Sequence, residues 1–96
     1  MIALLITVKI DPANAERFET LMRECRALVD ATEPSTLAYH LNRSPDEPGV
    51  YKAFEIYKSA DAMKAHSSGD GFKPLVPAIV ELLLEPPVTE QLVSIF

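Results

Sequence analysis

Residues 36–57 read TLAYHLNRSPDEPGVYKAFEIY, and this stretch decides the fold. From Thr36 to Arg43, Leu37, Tyr39 and Leu41 fall on one side, with Ala38, His40 and Asn42 on the other. That two-residue period predicts a strand. From Val50 to Tyr57 the same period puts Tyr51, Ala53, Glu55 and Tyr57 on one face. Val50, Lys52, Phe54 and Ile56 take the other. Between the two runs, Ser44-Pro45-Asp46-Glu47-Pro48-Gly49 concentrates turn-forming residues. Two strands joined by so short a turn make an antiparallel hairpin.

Working outward, residues 2–10 are rich in β-branched residues and apolar on both alternating faces, the pattern of a strand covered on both sides. Asp11-Pro12 is a helix start, an acidic cap followed by proline at the first helical position. Phe18, Leu21, Met22, Cys25, Leu28 and Val29 then recur at helical spacing. Glu16, Arg17, Glu19, Arg23 and Glu24 fill the polar side, and Asp30 to Pro34 ends the helix. Beyond the hairpin, Ser59 caps a short helix through about Ser67, and Ser68-Gly69-Asp70-Gly71 breaks it. A further helical stretch begins near Phe72. Pro74 and Pro77 fit only in or before its first turn. Pro86-Pro87 stops it, and residues 88–96 form a last strand.

The order is β-α-β-β-α-β with the second helical region split, in one domain spanning residues 1–96. This is the ferredoxin-like α+β arrangement: one antiparallel sheet with helices on one face. Strands apolar on both faces then need cover on the open side. The sheet of a second copy supplies it, so a homodimer is expected. The apolar share of 48% fits that expectation. A chain of 96 residues buries only roughly two-thirds of its unfolded surface by itself.

Fourteen acidic residues against nine basic ones give a net charge of −5. The basic residues are scattered and form no run. Nucleic acid and anionic membrane surfaces are therefore excluded as partners. One cysteine, Cys25, allows no intrachain disulfide, which points to a reducing, cytoplasmic compartment. The apolar start has no basic leader and is too short to span a bilayer.

Three segments resemble the antibiotic biosynthesis monooxygenase family. Glu33-Pro34-Ser35-Thr36, followed by Arg43-Ser44-Pro45-Asp46, resembles the family's acid-Pro-Gly-Cys turn and Arg-Ser-Pro-Asp hairpin. Phe54-Glu55-Ile56-Tyr57 resembles its Tyr-Glu-x-Trp strand. Residues 59–66 and Phe72-Lys73 resemble its acidic helix ending in Ala-His and the Ser-x-His-Phe segment beyond. Ser35 stands in place of the usual glycine, Tyr57 where tryptophan is common, and Gly71 where a second histidine often sits. The chain has no tryptophan, so the haem-degrading branch of the family lacks a characteristic residue here. The resemblance implies a dimeric α+β barrel with a pocket between sheet and helices in each subunit. It also implies cofactor-independent oxidation of a phenolic or quinol-type small molecule by O₂, with no metal and no flavin. An isomerase on the same scaffold, or a small-molecule-binding dimer without catalysis, are the competing readings. Oxygen uptake separates the first from the second, and a filled pocket would favour the third.

That chemistry requires a base near neutral pKa, hydrogen bonds to a developing anion, and a dry pocket. His66 is the expected base, since a neutral imidazole is available at pH 7. Its competing use is a helix-end histidine bonded to backbone. Glu55 sits between Phe54 and Ile56, where an unpaired buried carboxylate is costly. It is expected to orient His66 or hold a substrate hydroxyl, or else to pair with a neighbouring cation. Tyr39, Tyr51, Tyr57 and Phe72 are the expected substrate-binding residues. A phenol ring offers both a flat apolar face and a hydroxyl, and core packing is the alternative for each. His40 and Asn42 are assigned to the interface. A metal site from His40, Glu55, His66 and Asp70 lacks close ligand spacing, so none is expected. Cys25, on the apolar helix face, reads as an inert buried thiol.

Overall fold

The computed structural model describes residues 1–96. Strand β1 spans Ile2–Lys9, helix α1 Ala15–Thr32, β2 Thr36–Arg43 and β3 Val50–Tyr57. Helix α2 spans Ala60–Ser67, α3 Leu75–Leu82 and β4 Val88–Val93. The strands lie in the order β2-β3-β1-β4, each antiparallel to its neighbours. The hairpin has the boundaries its alternation predicts. Its turn closes on Gly49, which adopts φ +83° and whose carbonyl accepts a hydrogen bond from the Ile10 N–H at 2.8 Å. No helix is long and apolar enough to cross a membrane.

Local chemistry sets the helix ends. Asp11 accepts a hydrogen bond from the Ala13 N–H at 2.9 Å and opens a 3-10 turn over Pro12–Asn14, which passes into α1. Ser59 caps α2 by accepting from the Ala62 N–H at 3.1 Å. The expected helix from Phe72 begins three residues later. Asp70–Phe72 forms a separate 3-10 turn, and Pro74 and Pro77 occupy the cap and first turn of α3, where their missing N–H groups cost nothing. After α3, Leu83 bridges to Ile10 and the Leu84 N–H bonds the Lys9 carbonyl at 2.9 Å. The last strand is shorter than expected and stops at Val93. Leu37 also departs from simple alternation. The pairing of β2 with β3 skips a residue there, so Leu37 is pushed out of register and stays half exposed.

Helices cover one face of the sheet, and two packed clusters hold them. Ile10, Phe18 and Tyr51 form one, with Phe18 and Tyr51 ring centroids 4.8 Å apart. Cys25, Val29 and Phe72 form the other. The opposite face carries three rows of side chains set by strand register. Ala38, Ile56, Ala3 and Leu92 make an apolar row. His40, Phe54, Leu5 and Glu90 make the next, and Asn42, Lys52, Thr7 and Val88 the third.

Gly49→Ala should destabilise the chain by more than about 1 kcal/mol, because an added Cβ meets the Ile10 carbonyl and the backbone is left-handed there. Urea unfolding measures this, and an unchanged midpoint would contradict the account.

Candidate functional site

Between the two clusters the helices stand off the sheet and leave a chamber of about 390 Å³. Leu4, Ile6 and Val8 of β1 and Ala53 of β3 form its floor, since the pleat points these alternate residues toward the helices. Phe18, Met22 and Cys25 of α1 form one wall, and Val76, Ile79 and Val80 of α3 another. Most of the lining is therefore apolar. The polar groups that enter it are few and placed together.

His66 lies in the last turn of α2 and lines the chamber. Its ring centroid stands 5.5 Å from Tyr39, 5.5 Å from Tyr57 and 4.7 Å from Phe72. Nδ1 lies 2.8 Å from one Glu33 oxygen and 3.0 Å from the other. A carboxylate only accepts, so Nδ1 carries the hydrogen and a neutral ring has its lone pair on Nε2. Nε2 makes no hydrogen bond to protein, and no buried side-chain nitrogen or oxygen is left without a partner. Nε2 is therefore open to the chamber's contents. Glu33 is itself fixed by the Thr36 hydroxyl, which donates to it at 2.8 Å.

The carboxylate that orients His66 is thus Glu33 and not Glu55, a correction to the sequence reading. Glu55 is 6% exposed and accepts a hydrogen bond from the Tyr57 hydroxyl two residues along β3. Both point to the helix face by strand parity, which brings them together. Burial and this bond to the carboxylate push the Tyr57 phenol pKa well above its ordinary value. Tyr57 is thereby held neutral as a donor. Burial also raises the Tyr39 pKa. The Tyr39 hydroxyl has no protein partner and, like His66 Nε2, is accessible. Cys25 lines the same chamber as a protonated thiol, its pKa raised to about 11 chiefly by burial and further by Glu24.

The structure therefore gathers His66, Glu55, Tyr39, Tyr57 and Phe72 around one space. It does not bring Tyr51 there. Four residues of strand separate Tyr51 from Glu55, about 13 Å at strand rise. Tyr51 instead packs on Phe18, and its hydroxyl donates to Glu19 at 2.6 Å. His40 stands on the opposite sheet face and the Asp70 side chain is 91% exposed, so neither joins Glu55 and His66. Glu33 carried no role in the sequence reading. Its place in the Glu-Pro turn before β2 was the available signal, but its partner is 33 residues away.

A second hollow of about 350 Å³ adjoins the chamber between α1 and β2. Arg43 forks onto Glu19 at 3.0 and 3.2 Å. The Tyr51 hydrogen bond first, then Arg43, holds the Glu19 carboxyl below its ordinary pKa.

The chain matches the family model for antibiotic biosynthesis monooxygenase over residues 1–78. The crystal structure of a candidate antibiotic biosynthesis monooxygenase from Caulobacter crescentus is 40% identical, with a TM-score of 0.94 over 99% of this chain and 90% of that one. A second candidate, from Nitrosomonas europaea, has a TM-score of 0.88 at 16% identity, with both chains covered in full. SnoaB, a cofactor-independent oxygenase from Streptomyces nogalater, has a TM-score of 0.81 at 20% identity over 99% of this chain and 93% of its own. The last two likenesses speak to fold alone. No curated protein matches the chain.

Glu19 predicts an acid-side dependence of stability. A carboxyl lowered on folding contributes stability that is complete above its unfolded pKa and is lost as pH falls through its folded pKa. Glu19→Gln should flatten the loss of stability on the acid side of the ordinary carboxyl range. Unfolding midpoints taken through that range measure it, and an unaltered slope would contradict the assignment.

Proposed function

Since the chain belongs to the antibiotic biosynthesis monooxygenase family, we propose that the chamber oxidises a phenolic or quinol-type aromatic with O₂ and no cofactor, using His66 as base. The observation that carries this reading is the open Nε2 of a histidine fixed by Glu33 and set among three aromatic rings. Sixteen of its twenty lining residues are apolar, the kind of surrounding that helps shield a carbanion-like species from water.

In this mechanism the substrate ring lies among Tyr39, Tyr57 and Phe72. Nε2 of His66 removes a proton from the substrate hydroxyl. The Tyr39 hydroxyl donates a hydrogen bond to the resulting anion. Glu55, already engaged by Tyr57, accepts from a second substrate hydroxyl. The electron-rich ring then reduces O₂, and a bond forms between oxygen and a ring carbon that bears hydrogen. The peroxide anion takes the proton held by His66 and becomes a hydroperoxide. His66 then removes the hydrogen of that ring carbon as the O–O bond breaks, and a carbonyl is left. One oxygen atom enters the product, and the other leaves as hydroxide, which takes the proton back from His66 and becomes water. The substrate is its own reductant. Glu33 acts by holding the ring and its tautomer, and takes no part in bond making.

We read the active form as a homodimer through the open sheet face. Phe54 is 37% and Leu92 42% exposed in the lone chain, in rows that also hold Ile56, Ala3 and Leu5. Exposed apolar side chains grouped in this way on a small domain support an interface there, with Glu90 at the β4 end of the Phe54 row. His40, Asn42 and Lys52 lie toward one side of it as a polar margin.

Oxygen uptake with a panel of quinols tests the reaction. His66→Ala should lower turnover by about 10²–10⁴-fold, the usual span for a general base, with thermal unfolding little changed. Glu33→Gln should lower it less and shift its pH profile. Normal turnover by His66→Ala would remove His66 from the chemistry, and conversion of substrate without O₂ consumption would favour an isomerase. Light scattering tests the assembly. The parent chain should be a dimer and Phe54→Lys a monomer, whereas a monomeric parent would refute the interface.

A further inference from the structure

The chain has four arginines, Arg17, Arg23, Arg26 and Arg43, and the last three line one hollow between α1 and β2. In a protein of net charge −5 this is a local reversal of sign. Of the acidic residues, only Glu19 lines it with them. Glu19 is occupied by Arg43, by the Tyr51 hydroxyl and, at 3.5 Å, by Arg23. Arg26 donates from Nε to Asp30 at 3.0 Å and from Nη1 to the Tyr39 carbonyl at 2.6 Å. Each guanidinium has five N–H donors in a planar fork, so several remain free in the hollow.

The hollow and the chamber share a wall. Met22, Tyr39 and Leu41 line both. These three side chains divide the two spaces, and Met22 among them is unbranched and adaptable. Arg26 grips the backbone of Tyr39, whose ring lies 5.5 Å from His66. The cationic hollow is therefore fixed to a residue of the proposed catalytic chamber.

We infer that the substrate of this chamber is an aromatic carboxylate, its ring lying beside His66 and its ionised acid group reaching past Met22 to Arg23 and Arg26. The inference rests on the oxygenation reading for the identity of the chamber and adds the chemical class of the ligand. Charge-assisted bonds to guanidinium select an acid over its ester, while the apolar chamber alone selects only ring size. Arg43, committed to Glu19, holds that carboxylate away from the incoming anion.

Calorimetric titration with 2,5-dihydroxybenzoate and its methyl ester tests this. The acid should bind at least about tenfold more tightly, the range of one or two hydrogen bonds to charged groups. Arg23→Gln should reduce that preference severalfold and leave ester binding unchanged, and Arg26→Gln, which also loosens Tyr39, should reduce the preference too. Arg23 touches the fold only through Glu19, so its variant keeps the test open if Arg26→Gln fails to fold. Equal binding of acid and ester overturns the proposal. So does inorganic phosphate that fills the hollow without competing with the acid. The preference should persist in His66→Ala, because it is a matter of binding. A preference for the acid with no oxygen uptake on any quinol would sustain the arginine site and discard the oxygenation.

Discussion

Helix α1 is fastened at two separated places, to the sheet near its start and to the turn before α3 further along, and the space left between them is what the rest of the site depends on. Near its start, Phe18 packs with Ile10 and Tyr51. Further along, Cys25 and Val29 pack with Phe72. A single continuous core would leave no chamber. Two small clusters instead act as pillars, and α3 leans on α1 to close the side. Burying apolar surface stabilises each pillar by the usual increment per unit area. The interior between them gives up that contribution, which limits how stable a chain of this size can be by itself. A second copy covering the open sheet face would restore part of it.

The polar groups follow the same economy of placement. Only two carboxylates reach the interior near His66, and each arrives already bonded: Glu33 by Thr36 and the imidazole, Glu55 by Tyr57. An isolated carboxylate among Leu4, Ile6 and Phe72 would be strongly penalised. Hydrogen bonding keeps the penalty small and also fixes direction. The imidazole thereby presents one nitrogen, Nε2, to the chamber.

The sequence was most legible where structure is local. The hairpin of residues 36–57 is encoded by alternation and by its turn residues, and its strands have the expected limits. The buried face of α1 follows from helical spacing, with Phe18, Leu21, Cys25 and Val29 all buried. Two helix starts are displaced, and both follow the same course: Pro12 and Phe72 fall in 3-10 turns that precede α1 and α3. Strand parity put Tyr51 on the face of Glu55 but could not tell which stretch of that face α1 covers, and Phe18 packs over Tyr51. The Glu33 to His66 contact joins residues far apart in sequence, and no local pattern encodes it.

Cys25 gives the chamber one further property. Any reactive oxygen species generated beside it meets a sulfur that burial keeps in its protonated form, with a pKa near 11. Thiolates, not thiols, climb the ladder to sulfenic and higher acids. The apolar lining therefore protects the one cysteine within reach from oxidation, and in the proposed oxygenation it would spare the protein that damage over repeated turnovers.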